Sequence, residues 1–179
     1  MSRSTPAPIA VEKSILLDTG FLITVFDDQR PNHATALDLY KFFIEHGFLI
    51  FLSSIVVAEF CTRGDIKQLP LNNFLPLGFD IFDGALAGKL NFSTFMKPGG
   101  DRDRASVKDD VKLLAQMLQR NISYFATEDG PFTKKVSDEF RAITPILASD
   151  LVTKHFAVHR AASSTVVSRA ITPGQQSLF

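Results

Sequence analysis

Four acidic residues occupy positions where a charge is out of place. Asp18 interrupts the apolar stretch ILLDTGFLI at residues 15–23, and Glu59 lies in VVAEF at 56–60. Asp110 lies in VKDDVKLLAQML at 107–118, and Asp129 follows the apolar YFAT at 124–127. An isolated carboxylate is very costly to bury, so such a group is normally paired with a cation or belongs to a functional site. Asp18 and Glu59 have no Lys or Arg in their own segments, apart from Arg63 one helical turn beyond Glu59. A divalent metal is the natural counter-charge, and carboxylate oxygens suit Mg²⁺ or Mn²⁺. Each acid also has an ordinary alternative. Asp110 is suitably placed for a helix N-terminus, Asp129 before Gly130 for a turn, and Glu59 for the outer face of a helix. Asp18 is the hardest to explain that way, and the four together favour a site.

The elements that must position these acids alternate. A strand at 14–18 leads into a helix over TGFLITVF, whose start is ambiguous in the sequence. The spacing of Ala36, Leu37, Tyr40, Phe43 and Ile44 predicts a helix over 33–47 ending on Gly47, and FLIFL at 48–52 predicts a strand covered on both faces. Ser53 or Ser54 caps the next helix, which carries Glu59. Residues 69–100 read as irregular, apart from a helix within FDIFDGALAGKL. A helix opened by Asp110, a strand ISYFAT, a short helix PFTKKVSDEF and a weaker strand AITPIL complete the pattern. Strands alternating with helices predict an α/β fold of three layers, α/β/α, around a central parallel sheet. The acids then fall just beyond the carboxyl ends of strands, or on the helices leading from them, where this architecture binds ligands.

Composition narrows the classes. The 179 residues are 45% hydrophobic and 21% charged, which suits one folded domain with a phenylalanine-rich core of 17 Phe and no Trp. The formal net charge of zero excludes a global basic field, so any nucleic-acid contact must be local. The single cysteine, Cys61, excludes an internal disulfide and reads as a small buried hydrophobe in a reducing, cytoplasmic setting. No segment is long and apolar enough to span a bilayer, which takes about 20 residues.

The ordered set of LLDTGFLI, SSIVVAEF, KDDVKLLAQML and ISYFATEDGPF resembles the PIN-domain ribonucleases, which include the toxin nucleases of bacterial toxin–antitoxin pairs. The resemblance spans about residues 12–148. It rests on Asp18-Thr19, on Glu59, on Asp110 followed by Leu113 and Ala115, and on Thr127-x-Asp129. It implies a PIN-like fold in which Asp18, Glu59, Asp110 and Asp129 are catalytic and hold one or two Mg²⁺ or Mn²⁺ ions. The implied reaction is endonucleolytic hydrolysis of single-stranded RNA, leaving 5′-phosphate and 3′-hydroxyl ends. Thr19 and Thr127 would support the carboxylates by hydrogen bonds, with Asp109, which fits the family register less well, as a secondary ligand. Arg102, Arg104 and Lys108 before the third acid, and Lys134 with Lys135 after the fourth, are candidates for holding the RNA backbone; solvated surface charge is the alternative. A separate antitoxin and a homodimeric assembly are expected on the same grounds.

Residues 149–179 stand outside the resemblance and are expected to form a helix and a partly disordered tail. His155 and His159 are one helical turn apart, but no third ligand accompanies them, so zinc is not expected. The terminal QQSLF, through Gln175, Leu178 and Phe179, resembles the peptide by which bacterial proteins dock on the replication sliding clamp. That gives a second reading as an interaction protein or nuclease acting in replication or repair.

Overall fold

The computed structural model describes residues 13–90 and 104–157, with 104–108 given by their backbone alone. Arg102, His159, Gln175, Leu178 and Phe179 therefore lie outside the described residues, and the side chains of Arg104 and Lys108 do as well.

Five strands form one all-parallel sheet: β1 (Ser14–Leu17), β2 (Leu49–Ser53), β3 (Leu75–Leu77), β4 (Tyr124–Thr127) and β5 (Thr144–Leu147), in the order β3-β2-β1-β4-β5. The helices flanking it are α1 (Thr19–Phe26), α2 (His33–Glu45), α3 (Ser54–Phe60), α4 (Ile81–Lys89), α5 (Arg104–Arg120), α6 (Gly130–Glu139) and α7 (Val152–His155). This is the α/β sandwich with a central parallel sheet that the alternating pattern predicts. The apolar SILL segment takes the central position, and Ile15, Leu16 and Leu17 are wholly buried, as a strand covered on both faces requires. In α2, Ala36, Leu39, Tyr40 and Phe43 turn inward at helical spacing, while Ile44 faces solvent. Gly47 ends that helix with φ of 69°, a conformation glycine adopts without strain.

The core is rich in phenylalanine. Phe42, Phe43, Phe48, Tyr124 and Phe156 form one aromatic cluster, in which Phe156 stacks on Phe42 at 4.8 Å. The segment after β5 thus packs back onto α2. None of the helices among the described residues is long and apolar enough to cross a membrane.

Three expectations are corrected. Residues 69–100 hold a strand, β3, which pairs with β2 through Leu52 and Pro76. Its LPL sequence hides it, because proline cannot donate to a ladder and is tolerated only where the strand forms the sheet edge. Asp110 does not open its helix; α5 begins at Arg104, so Asp110 lies well inside it. Cys61 is exposed at the C-cap of α3 instead of buried.

Candidate functional site

The strand order reverses at β1. From β1 the chain builds β2 and β3 on one side, then crosses back to place β4 and β5 on the other. At such a switch point the connections leave adjacent carboxyl ends in opposite directions and open a crevice between them. Asp18 follows β1 and Asp129 follows β4, so both stand at that crevice.

Asp18 caps α1. Its Oδ1 accepts from the Thr19 N–H at 2.7 Å and its Oδ2 from the Thr127 hydroxyl at 2.8 Å, while its own N–H donates to the Ala126 carbonyl of β4 at 2.8 Å. The Thr127 hydroxyl also accepts from the Asp129 N–H at 3.0 Å, so one buried threonine orients both acids. Asp129 in turn caps α6, accepting from the Phe132 N–H at 2.8 Å. Burial pushes the Asp18 pKa up to about 6; the bonds from Thr127 and Thr19 oppose the rise, and the nearby charges of Glu59 and Glu128 add to it.

Glu59 lies exposed on α3, where its Oε2 accepts from the Thr19 hydroxyl at 2.5 Å. The two threonines expected to support carboxylates thus each hold one. The start of α3 is set by Ser53, whose Oγ accepts from the Ile55 N–H at 3.1 Å and donates to the Gln116 Oε1 at 2.7 Å. Gln116, fully buried, also donates from Nε2 to the Gly78 carbonyl at 2.9 Å. It therefore ties α5, which carries the buried Asp110, to the β2–α3 junction, which leads to Glu59. Asp109 beside it forms an ion pair with Lys112 at 2.7 Å.

An open cavity of about 620 Å³ is lined by Asp18, Glu59, Asp109, Asp110, Glu128 and Asp129, with Thr19 and Arg63 beside them. Sequence reasoning missed Glu128; its neighbour Asp129 matched a motif, whereas only the fold turns Glu128 toward Asp18. Lys134 and Lys135 do not line this cavity, and His155 is engaged with Asp150 at 2.7 Å. Among the described residues no three His, Cys, Asp or Glu side chains stand close enough together to form a ready-made metal cage. An open lining with six carboxylates against one guanidinium fits a hard divalent ion that is held by one or two carboxylates and completes its shell with water and phosphate oxygens. It does not fit a closed nitrogen and sulfur site.

The fold and cavity define a parallel α/β domain with an acidic crevice at its topological switch point. Compared with known proteins, the chain matches no protein-family model and no curated protein. Among solved structures its fold is similar to VapBC2 from Rickettsia felis bound to a promoter DNA fragment, at 14% identity and a TM-score of 0.49 over 75% of this chain and 98% of that one. It is similar also to VapC20 from Mycobacterium tuberculosis, a sarcin–ricin loop cleaving toxin, at 14% identity and a TM-score of 0.48, covering 68% and 94%. DNA-bound VapBC from Salmonella typhimurium follows at 13% identity and a TM-score of 0.49, covering 76% and 98%.

Proposed function

We propose that this chain is a metal-dependent endoribonuclease of the PIN type that hydrolyses phosphodiester bonds in single-stranded RNA, as the toxin of a toxin–antitoxin pair with a separate antitoxin as its partner. One observation carries this reading: the residues that match the PIN pattern, Asp18, Glu59, Asp110 and Asp129, come from four separate segments and line one cavity at the switch point. Asp18, Glu59, Asp110 and Asp129 would hold Mg²⁺ or Mn²⁺. Bound there, such an ion polarises a phosphate oxygen and lowers the pKa of water. The rest falls to the protein. Thr127 and the Thr19 N–H hold both oxygens of Asp18 and favour its ionised form, and the Thr19 hydroxyl fixes Glu59. Gln116 keeps the helix bearing Asp110 in register with the segment bearing Glu59.

The test is cleavage of end-labelled single-stranded RNA by the purified protein in Mg²⁺ or Mn²⁺, with and without chelator, beside Asp110→Asn. Cleavage is expected only for the unchanged protein with metal. Equal cleavage by Asp110→Asn, or in excess chelator, overturns the proposal.

A further inference from the structure

The acidic cavity shares a wall with a second one. Ile23, Phe60 and Arg63 border both, and the second cavity, of about 560 Å³, is completed chiefly by Phe26, Asp27 and Arg30. The two differ in charge. The first sets six carboxylates against one guanidinium, whereas the second sets two guanidiniums against one carboxylate.

Neither arginine is fully engaged. The Arg30 Nη2 reaches Glu128 Oε2 only at 3.5 Å, and its Nε is shut off from solvent with no hydrogen-bond partner among the described residues. The Arg63 side chain has no hydrogen-bond or ion-pair partner among the described residues. Asp27, the acid on this wall, accepts from the Gln29 N–H at 3.1 Å and forms no ion pair with either arginine among the described residues. A guanidinium offers its donors in a fixed fork that matches two phosphate oxygens, and it keeps its charge at any working pH. Arg63 stands on the shared wall, so an anion bound in the second cavity lies beside whatever occupies the first.

We infer that the Arg30–Arg63 cavity is a phosphate subsite that takes the RNA backbone phosphate neighbouring the one to be cleaved. The inference rests on the nuclease reading of the acidic cavity and adds to it the group that recognises a polynucleotide. The scissile phosphate enters a field of carboxylates and is attracted there chiefly through the metal ion they would hold. A neighbouring phosphate on two guanidiniums supplies binding energy that positions the chain. The apolar side of the cavity, Ile23 with the exposed ring of Phe26, faces sugar and base.

Steady-state cleavage of two substrates tests this: an RNA oligonucleotide, and a dinucleoside monophosphate whose only phosphate is the scissile one. For the oligonucleotide, Arg30→Ala and Arg63→Ala are each expected to raise KM about tenfold with kcat nearly unchanged. Each should also flatten the salt dependence of log kcat/KM by roughly 0.7. For the dinucleotide, which has nothing to place in the subsite, Arg30→Ala leaves KM the same, and Arg63→Ala, whose side chain also borders the acidic cavity, shifts it less than it shifts the oligonucleotide's. Equal shifts on both substrates, or no shift on the oligonucleotide, overturn the subsite while leaving the nuclease reading intact. If the unchanged protein cleaves neither substrate, both fall. Should Arg30→Ala fail to fold by thermal melting, the exposed Arg63 carries the comparison, with Arg30→Lys expected to recover part of the binding.

Discussion

Replacing Asp18 by asparagine should make the metal-free protein more stable at neutral pH while abolishing its activity. Burial raises the Asp18 pKa from 3.8 to about 6, so the folded protein binds a proton there more tightly than the unfolded chain. The sign follows directly. Below about pH 4 the group is protonated in both states and costs nothing; as pH rises through about 6 the folded state must hold a charge that the unfolded chain holds more easily. A shift of about two units is worth roughly 3 kcal/mol, fully present above about pH 6. Asparagine removes that cost. Its carbonyl still accepts from the Thr19 N–H, but its amide replaces an acceptor of the Thr127 hydroxyl, a loss of about 1 kcal/mol. The net gain of about 2 kcal/mol should raise Tm by roughly 4 to 8 °C in a chain of this length. Melting curves of both proteins in chelator, at about pH 7.5 and about pH 4, read it out. The variant should melt higher at the first pH and slightly lower at the second, and Mn²⁺ should stabilise only the unchanged protein. A variant that melts lower by the same amount at both pH values would refute the reasoning, since Asp18 would then be an ordinary helix cap.

Two further outcomes are expected away from the cavity. Arg120 pairs through both terminal nitrogens with the fully buried Asp83, its Nη2 lying 3.0 Å from Oδ2, and it clamps α5 against α4. Arg120→Ala leaves that carboxylate buried without its cation and should cost about 3 to 5 kcal/mol in urea unfolding; adding Asp83→Asn should recover part of the loss, because no charge is then stranded. Asp150 is pushed up by burial, but hydrogen bonds from Lys154, His155 and the Leu147 N–H outweigh this and hold its pKa below the usual range. Its stabilisation is therefore present at neutral pH and lost as pH falls through its lowered folded value. Asp150→Asn should lower Tm at about pH 7, with the gap to the unchanged protein closing below about pH 4.

What was legible in the sequence is what neighbouring residues decide among themselves. The apolar SILL run forms a strand covered on both faces; LIFLS forms one too, but with Leu49 exposed and Phe51 only partly buried, and Ser53 and Gly47 bound their helices through local hydrogen bonding and backbone freedom. Asp18 was conspicuous for the same reason: a charge inside such a run needs an explanation wherever the run ends up. The proline of β3 masked a strand, and the polar residues before Asp110 concealed the first turns of α5.

The strand order, by contrast, is written nowhere in any one segment. Apolar runs of similar length are interchangeable partners until the packing of the whole chain selects among them, and here it sets β4 beside β1. That pairing brings the Thr127 hydroxyl to Asp18 across 109 positions and turns Glu128 toward the same cavity. The pairing of β2 with β1 and the packing of α1 against α3 bring Arg30 and Arg63 to one wall, although a surface arginine carries no periodicity that marks it beforehand. Local sequence thus made Asp18 conspicuous by itself and the other acids only as members of an ordered set, while the crevice that gathers them exists only because a parallel sheet reverses its order at β1.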